Sequence, residues 1–363
     1  MRHFLSPLDL SADELSALLA LADEVAADPA RWYGVAAGKK LATLFYEPST
    51  RTRLSFEAAM LNLGGSVLGF SSASSSSVSK GETVADTIRI VSCYADIVAM
   101  RHPLEGGPQR AALYARVPVI NAGDGGHQHP TQTLTDLVTI RRRLGRLDGL
   151  TVGLCGDLKY GRTVHSLIAA LSRLPGSRFV CISPAELRLP AEVRAAALAA
   201  GCELVETADL EAVLPSLDVL YMTRIQRERF ADPAEYERLK GCYVLTRAKL
   251  AAARPEMPVL HPLPRVDEIT PDVDDDPRAA YFEQAQNGVY ARMALMMTLL
   301  GLGPVRLAPG APALPADARR GEGLVCGDRR CITASEGAGE HWFVPDADGR
   351  PRCLYCGREL RRG

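Results

Sequence analysis

Apolar and polar positions recur along this chain with two different periods, and the change of period marks its parts. Over residues 12–26 apolar side chains return at helical spacing. Ser11, followed three residues on by Glu14, predicts a capped start for that helix. Short apolar runs such as KLATLFY (40–46) follow. From Leu150 the alternation becomes regular: TVGLCGD, RFVCIS and SLDVLYMT read as strands, separated by helical stretches over 163–174 and 191–200. Strands alternating with helices predict parallel sheets covered by helices, an α/β fold. Residues 132–144 and 282–300 read as two long helices, each near a boundary between α/β halves. The pattern therefore predicts two parallel-sheet α/β lobes with an active-site cleft between them. The first covers 1–145 and is completed by a helix at 282–303; the second covers 146–281.

Beyond Gly303 the periodicity stops. Pro304, Pro309, Pro312 and Pro315 stand among alanines, a composition that builds no core, so 304–322 reads as a linker stiffened toward polyproline II at about 3.1 Å per residue. Residues 323–363 then read as a separate, small, β-rich module.

The chain has 363 residues, enough for two or three domains, and its 47% hydrophobic and 23% charged content excludes disordered and fibrous classes. The 42 Lys plus Arg balance 43 Asp plus Glu, so no net field favours nucleic acid, and an anion would have to be caught by a local site. The opening MRHFLSPLDLSADEL has no uninterrupted apolar run, and no stretch reaches the ~18 apolar residues of a membrane span. A cytoplasmic protein with no membrane or nucleic-acid partner is expected. Of nine cysteines, Cys93, Cys155, Cys181, Cys202 and Cys242 lie in apolar contexts and read as core thiols.

Several motifs carry chemistry. In FYEPSTRTRLSFE an apolar strand meets Ser49, Thr50, Arg51 and Thr52 as a helix pattern begins. Free N–H groups, hydroxyls and a guanidinium at a helix start suit a phosphate, although an ordinary Ser/Thr cap with exposed arginines fits the same residues. The serine run at 71–80 reads as a solvated loop, and Lys80 at its end could close over an anion. MRHP places Arg101 and His102 after an apolar run. GDGGHQHPTQTL places His127, Gln128, His129 and Gln132 before a helix; such histidines are commonly surface residues, but Pro130 fixes the backbone at His129. In the second lobe, Arg162 at a helix start and Arg224 with Gln226 after a strand offer planar forks for carboxylates, or surface salt bridges. HPLPRVDEI makes a rigid turn around Leu263.

In order and approximate spacing, FYEPSTRTR, SKGET, MRHP, DGGHQHPTQTL, DLKYGRTVHS, YMTRIQ and HPLPR resemble the catalytic chain of aspartate carbamoyltransferase over about residues 1 to 303. HPLP separates it from the ornithine-specific relatives, which carry HCLP. The resemblance implies transfer of a carbamoyl group from carbamoyl phosphate to L-aspartate, an early step of de novo pyrimidine biosynthesis, with no cofactor for the chemistry. By the same resemblance Ser49, Thr50, Arg51, Thr52 and Arg101 would hold the phosphate. Thr52, Arg101 and His129 would face the carbonyl oxygen as an oxyanion hole, and Gln132 would hold the carbamoyl nitrogen. Arg162, Arg224 and Gln226 would bind aspartate, and the carbonyls of Leu263 and Pro264 would orient the amines. Ser76 and Lys80 match a loop that enters a neighbouring subunit's site, which implies a homotrimer with shared sites; a higher assembly, or a complex with another pyrimidine-pathway enzyme, stays open.

The tail resembles the zinc domain of that family's separate regulatory chain, here fused to the catalytic chain. Cys326, Cys331, Cys353 and Cys356, spaced C-x4-C and C-x2-C, read as four ligands of a structural zinc. Two disulfides are the alternative that a reducing cytoplasm disfavours. Trp342, Phe343 and Tyr355 are its available docking contacts. A nucleic-acid ribbon is a weaker reading, since seven arginines against six acidic residues in 326–363 leave a net charge of only +1. An inactive scaffold, or transfer to another amino-acid acceptor, are the competing readings for the main body.

Overall fold

A computed structural model describes all residues except 226–229, 231, 311–312, 322, 337–340, 347 and 363. The chain divides into two compact units, one of 1–131 with 289–363 and one of 132–288.

In the first unit α1 (Ala12–Ala27) starts as its sequence predicts. The Glu14 N–H donates to the Ser11 side chain while the Glu14 carboxylate accepts from the Ser11 N–H, and the helix buries Leu15, Leu18, Leu19 and Val25. The strands β1 (Lys40–Phe45), β2 (Ser66–Phe70), β3 (Ile97–His102) and β4 (Val119–Asp124) form one parallel sheet in the order β2-β1-β3-β4. Strands β1, β3 and β4 are almost continuously buried, as parallel strands covered on both faces must be, whereas the edge strand β2 is half exposed. Helices α2 (Thr50–Asn62), α3 (Val84–Val91) and α4 (Gly107–Tyr114) make the crossovers, and α5 (Pro130–Leu144) leads into the second unit.

The second unit alternates β5 (Thr151–Cys155), α6 (Arg162–Leu171), β6 (Arg178–Ile182), α7 (Ala191–Ala199), β7 (Glu203–Thr207), α8 (Leu210–Val213), β8 (Val219–Met222), α9 (Pro233–Leu239), α10 (Arg247–Leu250) and β9 (Val259–Leu260). Its sheet is parallel throughout, ordered β7-β6-β5-β8-β9. Helix α11 (Tyr281–Leu300) begins in this unit and returns the chain to the first. Its early turns are tied to α5 by buried polar bonds: Gln284 donates to Asp136 at 2.6 Å and Asn287 to Thr139 at 3.1 Å. Among the described residues no helix is long and apolar enough to cross a membrane.

The tail forms a three-stranded antiparallel sheet, β10 (Arg319–Arg320), β12 (Trp342–Pro345) and β13 (Pro351–Cys353), and a two-stranded one, β11 (Leu324–Val325) with β14 (Arg361–Arg362). It is not the separate module that the sequence pattern suggests. Cys331, Ile332, Cys353, Tyr355, Cys356 and Leu360 share one apolar cluster with Leu44, Tyr46, Val84, Ile88, Met100 and Ala111 of the first unit, and Trp342 and Phe343 pack at its margin. Too few apolar side chains lie in the tail to close a core alone, so it borrows one. Nor do the described residues before it act as a free spacer. The Ala308 carbonyl accepts from Arg2 at 3.0 Å, the Ala308 N–H donates to Glu14 at 2.9 Å, and Gln109 donates to the Ala313 carbonyl at 2.8 Å. β10 itself lies within the 304–322 stretch. Two of the five cysteines read as core also differ: Cys93 and Cys242 are exposed, while Cys155, Cys181 and Cys202 are buried.

Candidate active site and cysteine centre

In each unit the residues singled out from the sequence cluster at the carboxyl edge of a parallel sheet. In the first, the strand order reverses direction between β1 and β3, the place where loops diverge and leave a crevice. Phe45 pairs with Arg101 there, and the Tyr46 N–H donates to the Arg101 carbonyl at 2.9 Å, so the loops after both strands leave side by side.

Ser49, Thr50, Arg51 and Thr52 occupy the N-cap and first three positions of α2, where backbone N–H groups have no partner within the helix. Ser49 makes no side-chain capping bond, which removes the ordinary-cap reading for that residue. Arg51 is exposed and Thr52 buried. The neighbouring Arg53 is engaged by Glu57 at 2.7 Å, and Glu57 also accepts from Thr43, so Arg53 belongs to helix packing. Arg101 is the next-to-last residue of β3, just before His102. Its side chain is 11% exposed and pairs with Glu47 Oε2 at 3.1 Å, a partner the sequence reading missed. His102 is structural. Burial pushes its pKa down to about 4, so the neutral ring accepts the Leu104 N–H at 3.0 Å.

The loop after β4 is organised by Asp124, also missed. This buried carboxylate accepts from the Gly106 N–H at 2.8 Å, Asn121 at 2.9 Å and the Gln128 N–H at 3.1 Å. His127 pairs with it at 2.9 Å; burial opposes the imidazolium, but the Asp124 hydrogen bond and charge outweigh it and hold the pKa above the ordinary value. His127 is thereby a loop tie, and His129, two residues on, is buried ahead of α5. The serine run is not merely solvated. It folds into two successive 3₁₀ turns, Ala73–Ser75 and Ser77–Lys80, in which Ser75 donates to the Ser72 carbonyl, Ser76 to Ala73 and Ser79 to Ser76 at 2.8–2.9 Å. Lys80 ends the second turn, exposed, before Gly81 at φ +91°.

The second unit repeats the plan, with its sheet reversing between β5 and β8. Arg162 opens α6 after β5, and Arg224 follows β8; both are half-buried. Thr223 stitches the two loops together: its hydroxyl donates to the Cys155 carbonyl at 3.0 Å and accepts the Asp157 N–H at 2.9 Å. Gly156 permits this contact, since a Cβ there would stand 2.4 Å from the Thr223 carbonyl oxygen. Gln226 lies outside the described residues. Gln132, in the first turn of α5, donates to the buried Asp136 at 2.8 Å, which fixes its amide.

The Leu263–Pro264 turn after β9 is held by residues whose role was not foreseen. Leu263 takes φ +54°, a region L-residues avoid, and its N–H donates to His261 Nδ1 at 2.7 Å. With Nδ1 accepting, the proton sits on Nε2 and is given to Glu268 at 2.7 Å. Burial raises the Glu268 pKa, but the hydrogen bond and charge of His261 together with backbone N–H donors such as that of Val266 outweigh it, so the carboxylate is held below its usual range.

The four tail cysteines converge, with all their sulfurs within 4.8 Å of one another, and could together hold a metal ion. The Cys326–Cys356 and Cys331–Cys353 separations, 3.5 and 3.8 Å, far exceed the ~2.05 Å of a disulfide. The thiol of Cys331 and then those of Cys353 and Cys356 hold Cys326 below the ordinary thiol range, while Cys353 and Cys356 are pushed up. Four thiols this close do not all carry charge unless a cation compensates them. The centre packs directly against the N-terminal part of its own unit. Glu105, fully buried, exchanges backbone bonds with Arg330 and Ile332 at 2.8 and 2.9 Å and pairs with Arg358 at 2.6 Å. Tyr355 lies over Gly106, where any Cβ would come within 2.5 Å of it.

Residues 2–142 match the carbamoyl-phosphate-binding domain, and residues 148–299 the Asp/Orn-binding domain, of the aspartate/ornithine carbamoyltransferases. The chain belongs to that family and is a transferase. The aspartate carbamoyltransferase catalytic subunit of Lachnoclostridium phytofermentans is 63% identical over 305 residues, which cover 84% of this chain and 99% of the relative. That of Clostridium acetobutylicum is 59% identical over 302 residues, 83% and 98% of the two chains. The solved catalytic subunit of M. jannaschii aspartate transcarbamoylase superposes with a TM-score of 0.78 at 49% identity, covering 83% of this chain and 98% of its own. The Trypanosoma cruzi aspartate transcarbamoylase, solved with carbamoyl phosphate and aspartate, gives 0.77 at 39% identity, covering 81% and 95%. Within the family this chain stands with the aspartate carbamoyltransferase catalytic subunits, and both matched domains end before its cysteine centre.

Proposed function

We propose that this protein joins the amino group of L-aspartate to the carbonyl carbon of carbamoyl phosphate, releasing phosphate and N-carbamoyl-L-aspartate. The observation that carries the reading is the grouping of the motif residues at the carboxyl edges of both sheets, where each strand order reverses. At the α2 start, Ser49, Thr50, Arg51 and Thr52 cradle the phosphate with backbone N–H groups, hydroxyls and charge. Thr52, Arg101 and His129 stabilise the oxyanion as the tetrahedral intermediate forms, and Arg101 also takes up negative charge on the departing phosphate. Gln132, oriented by Asp136, accepts from the carbamoyl NH2. Arg162, Arg224 and Gln226 bind the aspartate carboxylates. The Leu263 and Pro264 carbonyls, aimed by the His261–Glu268 pair, accept hydrogen bonds from the reacting amines. Attack of an amine on a mixed anhydride needs positioning and charge stabilisation, with no cofactor.

Specificity tests this directly. In a colorimetric ureido assay L-aspartate should be carbamoylated and L-ornithine should not, because two arginine forks suit a dicarboxylate. Comparable turnover with ornithine would overturn the assignment.

We further propose a homotrimer in which Ser76 and Lys80 serve a neighbouring subunit's site. Supporting this, Lys80 is exposed on its loop, and Leu54, Leu61, Ile90 and Tyr94 of the same unit are each more than half exposed. Mixing inactive Lys80→Ala chains with inactive Arg101→Ala chains should then restore partial activity by assembling some intact sites. No recovery after verified subunit exchange would place each site within one chain.

The cysteine centre suits zinc. Sulfurs about 2.3 Å from a tetrahedral zinc lie about 3.8 Å from one another, close to the 3.5 and 3.8 Å of the two pairs above, and all four sulfurs lie within 4.8 Å. Cys326, Cys331, Cys353 and Cys356 would hold the ion in a closed structural site. Reduced thiolates require a reducing compartment, which accords with a cytoplasmic location.

A further inference from the structure

The Lys80 loop runs straight into α3, and the start of α3 is secured by the tail. Thr83 caps that helix by accepting the Asp86 N–H at 3.1 Å, which leaves the Val84 N–H at the first helical position without a local acceptor. Glu336, 252 residues away in sequence, supplies one: the Val84 N–H donates to its Oε1 at 2.7 Å. The other carboxylate oxygen pairs with Arg110 Nε at 2.9 Å, and the two side chains are only 15% and 9% exposed. A carboxylate fixed there also meets the positive end of the helix dipole. Glu336 is in turn tied to the cysteine centre. Its N–H donates to the Ile332 carbonyl at 3.0 Å, and Ile332 opens the 3₁₀ turn that directly follows Cys331. On the other side, only Gly81, Glu82 and Thr83 separate Lys80 from Val84, and the Lys80 turn closes through the Gly81 N–H onto the Val78 carbonyl at 2.9 Å.

We propose that Glu336 is a positioning residue for the reaction: it pins the start of α3 and so sets the loop that presents Lys80, and metal bound by the four cysteines maintains it in place. The inference rests on the role given to Lys80 above. It makes the fused tail part of the catalytic apparatus through its own chain.

The test compares full-length Glu336→Ala, Glu336→Gln and Lys80→Ala by hydrogen exchange over residues 77–92 and by steady-state kinetics. Glu336→Ala should speed exchange in that segment about tenfold and lower kcat about tenfold, while the KM for carbamoyl phosphate stays within about twofold. Glu336→Gln retains an oxygen that accepts the Val84 N–H and should recover most of both losses. Withdrawing metal from the wild-type protein with a zinc chelator should raise exchange in the same segment, and adding zinc should reverse it; this arm does not depend on how well the alanine variant folds. Unchanged exchange in Glu336→Ala or after chelation, or a glutamine variant as impaired as the alanine one, overturns the proposal. Wild-type turnover in Lys80→Ala would instead remove Lys80 from the reaction, and faster exchange in Glu336→Ala would still support the pinning of the loop, so the two readings fail separately.

Discussion

Arg101→Ala should lower the turnover of carbamoyl-aspartate formation by roughly a hundredfold to a thousandfold, about 3 to 4 kcal/mol of transition-state stabilisation, with the fold preserved. The guanidinium lies at the carboxyl end of β3, next to the loop that opens α2, and in the proposed reaction it would face the charge developing on the carbonyl oxygen and the leaving phosphate. Its removal leaves the sheet intact, because the pairing of Phe45 with Arg101 and the Tyr46 bond use only the backbone. Glu47 loses its partner but is 37% exposed and can take water instead, so little stability is lost. Arg101→Lys keeps the charge without the planar fork and should fall between wild type and alanine. The check is kcat at saturating substrates beside the thermal midpoint. An alanine variant within about threefold of wild type would take Arg101 out of the reacting centre.

Cys353→Ser should abolish stoichiometric metal binding and lower the unfolding midpoint of the full-length chain by on the order of 10 °C. Closed thiolate sites contribute on the order of 10 kcal/mol to folding in small zinc domains, and the hydroxyl is a poor substitute ligand. In this protein the loss spreads beyond the tail, because Cys353 is buried in the apolar cluster that continues into β1, β3 and α4. If Ile332 and Tyr355 lift away, Met100, Ala111 and their neighbours lose their cover. Part of the interface, such as the Glu105–Arg358 pair, needs no metal and should limit the fall. Elemental analysis and calorimetry on wild type, Cys353→Ser and a chain ending at residue 303 make the comparison. A metal-free wild type, or a serine variant with an unchanged midpoint, would show that the cysteines do not brace this domain.

Local pattern was enough to place most elements. The Ser11–Glu14 capping box, the buried apolar runs of the inner strands and the helical repeats of α6, α7 and α11 each depend on residues a few positions apart, and their expected bounds lie within a few residues of those observed. The motif residues could likewise be placed at strand ends and helix starts, since the switch of period marks where a strand hands over to a helix. The same pattern could not decide which arginine of STRTR packs and which stays exposed; Glu57 and Thr43 settle that through a contact between helix and sheet. Nor could it indicate that Asp124 organises the loop before His129, that Glu268 reaches back to His261, or that Cys93 is exposed. It presented the tail as an independent module because periodicity says nothing of what a short apolar set packs against. Only tertiary structure brings Glu105 to Arg358 and Val84 to Glu336, across separations of 253 and 252 residues. Partners for buried charges and helix ends are chosen by proximity after the chain has folded, whereas strand and helix follow from the neighbours each residue has along the chain.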